Sequence, residues 1–179
     1  MRDVVEGGLI VDIGLPSETE AISMLVRAAG FDALAIVQRE EAKKLVDLCK
    51  RLPLTIGIAG KLIKQLSIGG EDWSGLVDLL QEELAMHHDA SVEEGVIRAS
   101  IKAIPKAIQQ QVVQLFVGFA LVAEDTHVPL PVISLIYDAC GDGADGTKPL
   151  SRLHTRKYLK ILIDRSLVWC LFSIVRFRS

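Results

Sequence analysis

Gly141-x-Gly143-x-x-Gly146 is a stretch whose spacing spells a phosphate cradle. Glycines at that spacing let a backbone approach a pyrophosphate, provided that a strand precedes them and a helix N-terminus follows. Here an apolar helical pattern precedes them, and Asp142 and Asp145 put negative charge where phosphate would lie. The stretch therefore reads as a loop. Gly57-Ile58-Ala59-Gly60-Lys61-Leu62 also sets a lysine behind glycines. Its spacing differs from G-x-x-x-x-G-K-[ST], it lacks the hydroxyl that would hold magnesium, and it falls inside a helical pattern.

Met86-His87-His88-Asp89 offers metal-ligand side chains. Adjacent histidines diverge around a helix or a strand, and no third ligand lies nearby in sequence, so the expectation is a solvated loop. Glu124-Asp125 follows an apolar helix and reads as part of a polar turn. Ser, His and Asp are scattered without a G-x-S-x-G pattern. Cys49, Cys140 and Cys170 are widely spaced, with no C-x-x-C and no zinc-type Cys/His spacing. These residues give no expectation of catalysis, and no metal site is expected. Reduced cysteines in apolar helical contexts point to a reducing, cytoplasmic setting.

Charge is the other chemical signal. Net charge is −3 over 179 residues, which argues against a general nucleic-acid binder. From Lys148 to Ser179, however, eight Lys or Arg face the single acid Asp164, a local +7 that leaves −10 for the rest. Arg156, Lys157, Lys160 and Arg165 in this region suit phosphate contacts or an acidic partner. The N-terminus shows no signal-peptide pattern. The most apolar run, Leu167 to Val175, is too short for a bilayer, which needs about 20 residues.

These side chains sit on a helical pattern. Half of the chain is hydrophobic but only 5% is aromatic, so the core is expected from Leu, Ile, Val and Ala packed between helices. Leu9–Ile13 predicts a short buried strand. Ser17-Glu18-Thr19-Glu20 is a capping box that opens a first helix, with Ala21, Met24, Leu25 and Ala28 on its apolar face and Gly30 as its stop. A second helix is expected from Gln38 to Cys49 and a third from Pro53 to Leu66. Proline suits a first helical turn, where its missing N–H would be unpaired and its φ is already helical. Asp72 is placed to cap a fourth helix carrying Trp73, Leu76, Val77, Leu80 and Leu84. Met86–Ala90 is a polar break. Ser91-Val92-Glu93-Glu94 is a second capping box, and further helices are expected from Pro105, from about Leu130 to Ala139, and from about Thr155 to Ser166. The fold class expected is mainly α: a helical bundle followed by three helices and a β-prone segment, Leu167-Val168-Trp169, that suit a winged helix.

Read in order, four motifs resemble the NB-ARC module of the STAND signalling ATPases, which include plant disease-resistance proteins. Leu15-Pro16-Ser17-Glu18-Thr19-Glu20-Ala21 is similar to the start of the helix that follows the family's nucleotide-binding sheet. Arg51-Leu52-Pro53-Leu54-Thr55-Ile56 is similar to the Gly-Leu-Pro-Leu-Ala motif, with Trp73 at a position where a Trp often follows. Leu115–Pro129 resembles the family's F-x-x-x-A-x-F-x-E-D-x-x-I-P stretch, and Tyr158–Val168 its L-x-x-L-x-x-R-S-L-V/I helix. The match spans roughly residues 9 to 169.

The resemblance implies a division into residues 1–14 (remnant of the nucleotide-binding sheet), 15–86 (helical ARC-like subdomain), 90–169 (winged-helix-like subdomain) and 170–179 (an atypical tail). It implies ADP or ATP as the ligand of an intact ATPase switch in signal transduction and defence, with Pro53 on the adenine side and Leu52 and Leu54 flanking it. The partner implied is the phosphate-loop subdomain, and the intact protein is expected to form homo-oligomers. Three departures stand out. No phosphate loop or magnesium-binding acid is present, Arg51 replaces the motif's glycine, and no Met-His-Asp motif follows the winged helix. The ending is therefore read as a truncation or a mis-joined gene model. Alone, the chain is expected to bind nucleotide weakly or not at all and to hydrolyse none. Two other readings remain: a winged-helix nucleic-acid binder that uses the basic end, and a helical protein-interaction module. No membrane partner is expected.

Overall fold

The computed structural model of the chain describes residues 14–32, 38–66, 73–87, 89–122, 128–140 and 151–168. All regular structure among these residues is helical. The order is α1 (Glu18–Ala29), α2 (Gln38–Leu48), α3 (Pro53–Leu66), α4 (Trp73–Met86), α5 (Val92–Lys102), α6 (Lys106–Gly118), a short 3-10 turn (Phe119–Leu121), α7 (Leu130–Cys140) and α8 (Arg152–Asp164). The expected strand at Leu9–Ile13, the Asp72 cap, the glycine stretch Gly141–Gly146, Glu124-Asp125 and the tail 170–179 lie outside the described residues. None of the described helices is long and apolar enough to cross a membrane.

Local chemistry sets the ends of α1. Ser17 Oγ accepts from the Glu20 amide at 3.4 Å, and Glu20 Oε2 accepts from the Ser17 amide at 2.8 Å, closing the capping box. Gly30, at φ 79°, ends the helix, with the Phe31 amide donating back to the Val26 carbonyl. The second box closes only halfway. Ser91 Oγ accepts from the Glu94 amide at 3.2 Å, but the Glu94 carboxylate pairs with Arg98 one turn on. The guanidinium offers a charge-assisted bond where the Ser91 amide offers a neutral one.

Packing forms two apolar clusters. The first joins Ala21 and Leu25 of α1, Leu45 and Val46 of α2, Ile56, Ala59 and Leu62 of α3, Trp73, Leu76 and Leu80 of α4, and Val96 and Ala99 of α5. The second joins Ile104, Val112 and Leu115 to Ile133 and Tyr137 of α7 and Tyr158, Leu159 and Leu162 of α8. The link from Met86 to Ser91 thus connects two helices of the first cluster. Close approach holds that cluster together. A Cβ at Gly60 of α3 would stand 2.5 Å from Ala28 Cβ on α1, and one at Gly95 of α5 would stand 2.5 Å from Leu84 Cδ2 on α4. Lys102 Nζ adds ion pairs to Glu83 at 2.8 Å and Glu82 at 3.1 Å, tying α5 to α4.

Candidate functional site

The corner between α2 and α3 brings Leu52, Pro53 and Leu54 together on the surface. α2 stops through main-chain geometry without glycine. The Lys50 amide donates to Asp47 O at 3.0 Å and the Arg51 amide to Val46 O at 3.1 Å, which closes the end as a Schellman motif. Lys50 at φ 51° is the left-handed residue that the motif needs, and Arg51 follows it at φ 56°, so two successive left-handed residues carry side chains. The Leu52 amide then donates to Cys49 O at 3.0 Å, and α3 starts at Pro53.

Thr55 pins the turn from below. Its wholly buried hydroxyl lies 2.9 Å from Cys49 O and 2.9 Å from Leu52 O. The Cys49 thiol beside it is also buried, and burial pushes it up to about 11, partly offset by a hydrogen bond with Thr55. Above this buried floor Pro53 and Leu54 are exposed and Leu52 is half-buried. The arrangement is a stiff apolar edge at the N-terminus of a helix. It can offer a flat apolar face to a ring or a side chain.

The described surface also carries open depressions. One, of about 550 Å³, is lined by residues that include Lys44, Asp47, Lys50, Gln81 and His87. The other, of about 650 Å³, runs between α1 and α2 past Glu18, Arg27, Phe31 and Lys43. Leu52, Pro53 and Leu54 line neither of them.

The remaining candidates are dispersed. His87 is an exposed residue beyond α4, and no group of three metal-ligating side chains occurs among the described residues. The Gly57–Lys61 stretch is interior to α3, where Gly60 serves the crossing with α1. Trp73 is a core residue, 1% exposed, with its ring centroid 6.1 Å from that of Phe31.

The basic end divides. Arg156, Lys157 and Lys160 are exposed on α8, and Lys160 pairs with Asp164 at 2.6 Å. Arg165 is 5% exposed and is turned inward. Its Nη1 donates to Ser100 O at 2.5 Å and its Nη2 to Ala103 O at 3.2 Å. Sequence periodicity groups it with the phosphate-facing cations. Just past it Ser166 adopts φ 56°, with the Leu167 amide donating to Leu162 O at 3.0 Å. The chain matches no protein-family model, no curated protein and no solved structure.

Proposed function

We propose that this chain serves as the lid of an NB-ARC-type nucleotide switch, with its division moved from residues 86–90 to the α5–α6 corner because α5 packs in the first cluster: a helical part, α1–α5, and a winged-helix-like part, α6–α8. The lid closes on ADP or ATP whose phosphates are held by an adjoining phosphate-loop subdomain. Pro53, with Leu52 and Leu54, is the edge that faces the adenine ring. The chain itself performs no chemistry. It shields one side of the nucleotide and biases a two-position switch through contacts that differ between the two nucleotides.

The observation that supports this reading is the backbone at Arg51. The family's motif begins with glycine at that position, and Arg51 holds φ 56°, a conformation that glycine adopts at no steric cost. At the position where the resembled motif has glycine, this chain has a main-chain conformation that suits glycine. The exposure of Pro53 and Leu54 at the helix start is consistent with the same role.

Photolabelling with an azido-adenine analogue of ADP tests the reading. The expected result is label within residues 49–57, reduced by excess ADP and unaffected by inorganic phosphate. Label confined to other helices overturns it, as does micromolar affinity or any turnover by the chain alone.

The exposed cations of α8 favour a second reading, polyanion binding through that helix. It predicts salt-dependent DNA binding that is lost on charge reversal of Arg156, Lys157 and Lys160.

A further inference from the structure

The last carbonyls of a helix have no partner within it. At the end of α5 such carbonyls are taken by side chains from the other cluster. Arg165, just past α8, donates to Ser100 O and Ala103 O, and Gln109 Nε2 of α6 donates to Ile101 O at 2.9 Å. α5 is thus held to α4 by the Lys102 ion pairs and capped from α6 and α8. Leu167 packs against both clusters at the same seam.

The seam is polar, buried and incompletely paired. Burial lowers the Arg165 guanidinium from its ordinary range, with no carboxylate among the described residues to offset it. Arg165 Nε and Ser100 Oγ are both buried and have no hydrogen-bond partner among the described residues. A buried cation held only by carbonyls recovers less of its desolvation than one with a counter-charge. The connection beneath it is brief. Ala103, Ile104 and Pro105 join α5 to α6, and Pro105 has no N–H to contribute. Few main-chain bonds must break for the two clusters to part, while each cluster keeps its own apolar interior.

We propose that α6–α8 opens from α1–α5 as one unit at this seam, ahead of global unfolding, and that Arg165 is the latch that sets how often it does. The latch is independent of any nucleotide. It makes the α5–α6 corner less protected than the interiors of α6 and α8.

Native-state hydrogen exchange on the full chain tests this with Arg165→Met, which keeps an apolar stem and removes the charge. Exchange over residues 100–108 and 165–168 is expected to rise roughly tenfold to a hundredfold, the range for lost hydrogen bonds to a charged group. Residues 112–116 and 158–162, inside α6 and α8, are expected to keep wild-type protection. Unchanged exchange at the seam overturns the proposal. So does an equal rise throughout α6–α8, which would make Arg165 an ordinary core residue. If Arg165→Met does not fold, Gln109→Ala carries the same test: a smaller rise over residues 100–108 supports the latch, and no rise there overturns it.

Discussion

The hydroxyl of Thr55 lies 2.9 Å from the carbonyl oxygen of Cys49, six residues back, and so closes the α2–α3 corner from inside. Leu52 O stands at the same distance, so one proton is shared between two acceptors. Replacing the hydroxyl with a methyl keeps the shape and removes the donor. Both carbonyls keep a main-chain donor, from Leu52 N–H and Ile56 N–H, so Thr55→Val should cost about 0.5–1.5 kcal/mol, the net range for one hydrogen bond. Thr55→Ser should recover most of that. The urea midpoints of the three proteins check this, and equal midpoints for Val and wild type would mean the hydroxyl contributes nothing.

Arg51 carries a conformational cost that glycine would not. A side chain at φ 56° costs roughly 1–2 kcal/mol in the left-handed region. Glycine gives back about 0.5–1 kcal/mol through its larger unfolded entropy. Arg51→Gly is thus expected to stabilise the fold by about 0.5–1 kcal/mol. Arg51→Ala keeps the strain and should gain nothing, so thermal unfolding of the pair separates backbone relief from loss of the guanidinium.

Two glycines of α3 should respond with opposite sign. A Cβ at Gly60 would meet Ala28 Cβ at 2.5 Å and Leu25 O at 2.9 Å, and neither is a flexible side-chain end. Gly60→Ala must push α1 and α3 apart, at about 1–3 kcal/mol. A Cβ at Gly57 meets nothing within 4 Å, so Gly57→Ala should stabilise the helix by about 0.5–1 kcal/mol. Equal effects in denaturant titrations would mean the α1–α3 crossing is looser than these distances imply.

Local signals made much of this legible. Ser17, Glu20 and Gly30 mark both ends of α1, and the mainly helical class follows from apolar residues spaced three and four apart. Pro53 marks the start of α3 for a reason internal to proline. The features that escaped are those set by distant partners or by local competition. Glu94 fits a capping box, yet Arg98 at i+4 takes its carboxylate. Lys50 and Arg51 carry no sign of a left-handed turn, because the main-chain bonds to Asp47 O and Val46 O that close it call for no particular side chain. Arg165 looks like one more surface cation. Its role depends on carbonyls more than 60 residues earlier, which no periodicity can reach. At the candidate edge, Pro53 could be named from sequence, but the Thr55 hydroxyl that fixes it could not.

Cys49 supplies a pH test of the same corner. Its thiol is buried, and burial raises it from an ordinary value of 9.0 to about 11. The folded state therefore holds the proton over a range where the unfolded chain releases it. The contribution is fully present below pH 9 and is lost as pH rises toward about 11, because only the unfolded state gains from ionising. The total loss should be about 2–3 kcal/mol, since each tenfold change in acidity is worth about 1.4 kcal/mol. Cys49→Ala removes the thiol and keeps the other titrating groups. Unfolding free energies of the two proteins should run parallel below pH 9 and diverge above it, with the wild type falling more steeply. Parallel curves up to pH 11 would mean that the thiol ionises as freely in the folded corner as in the open chain.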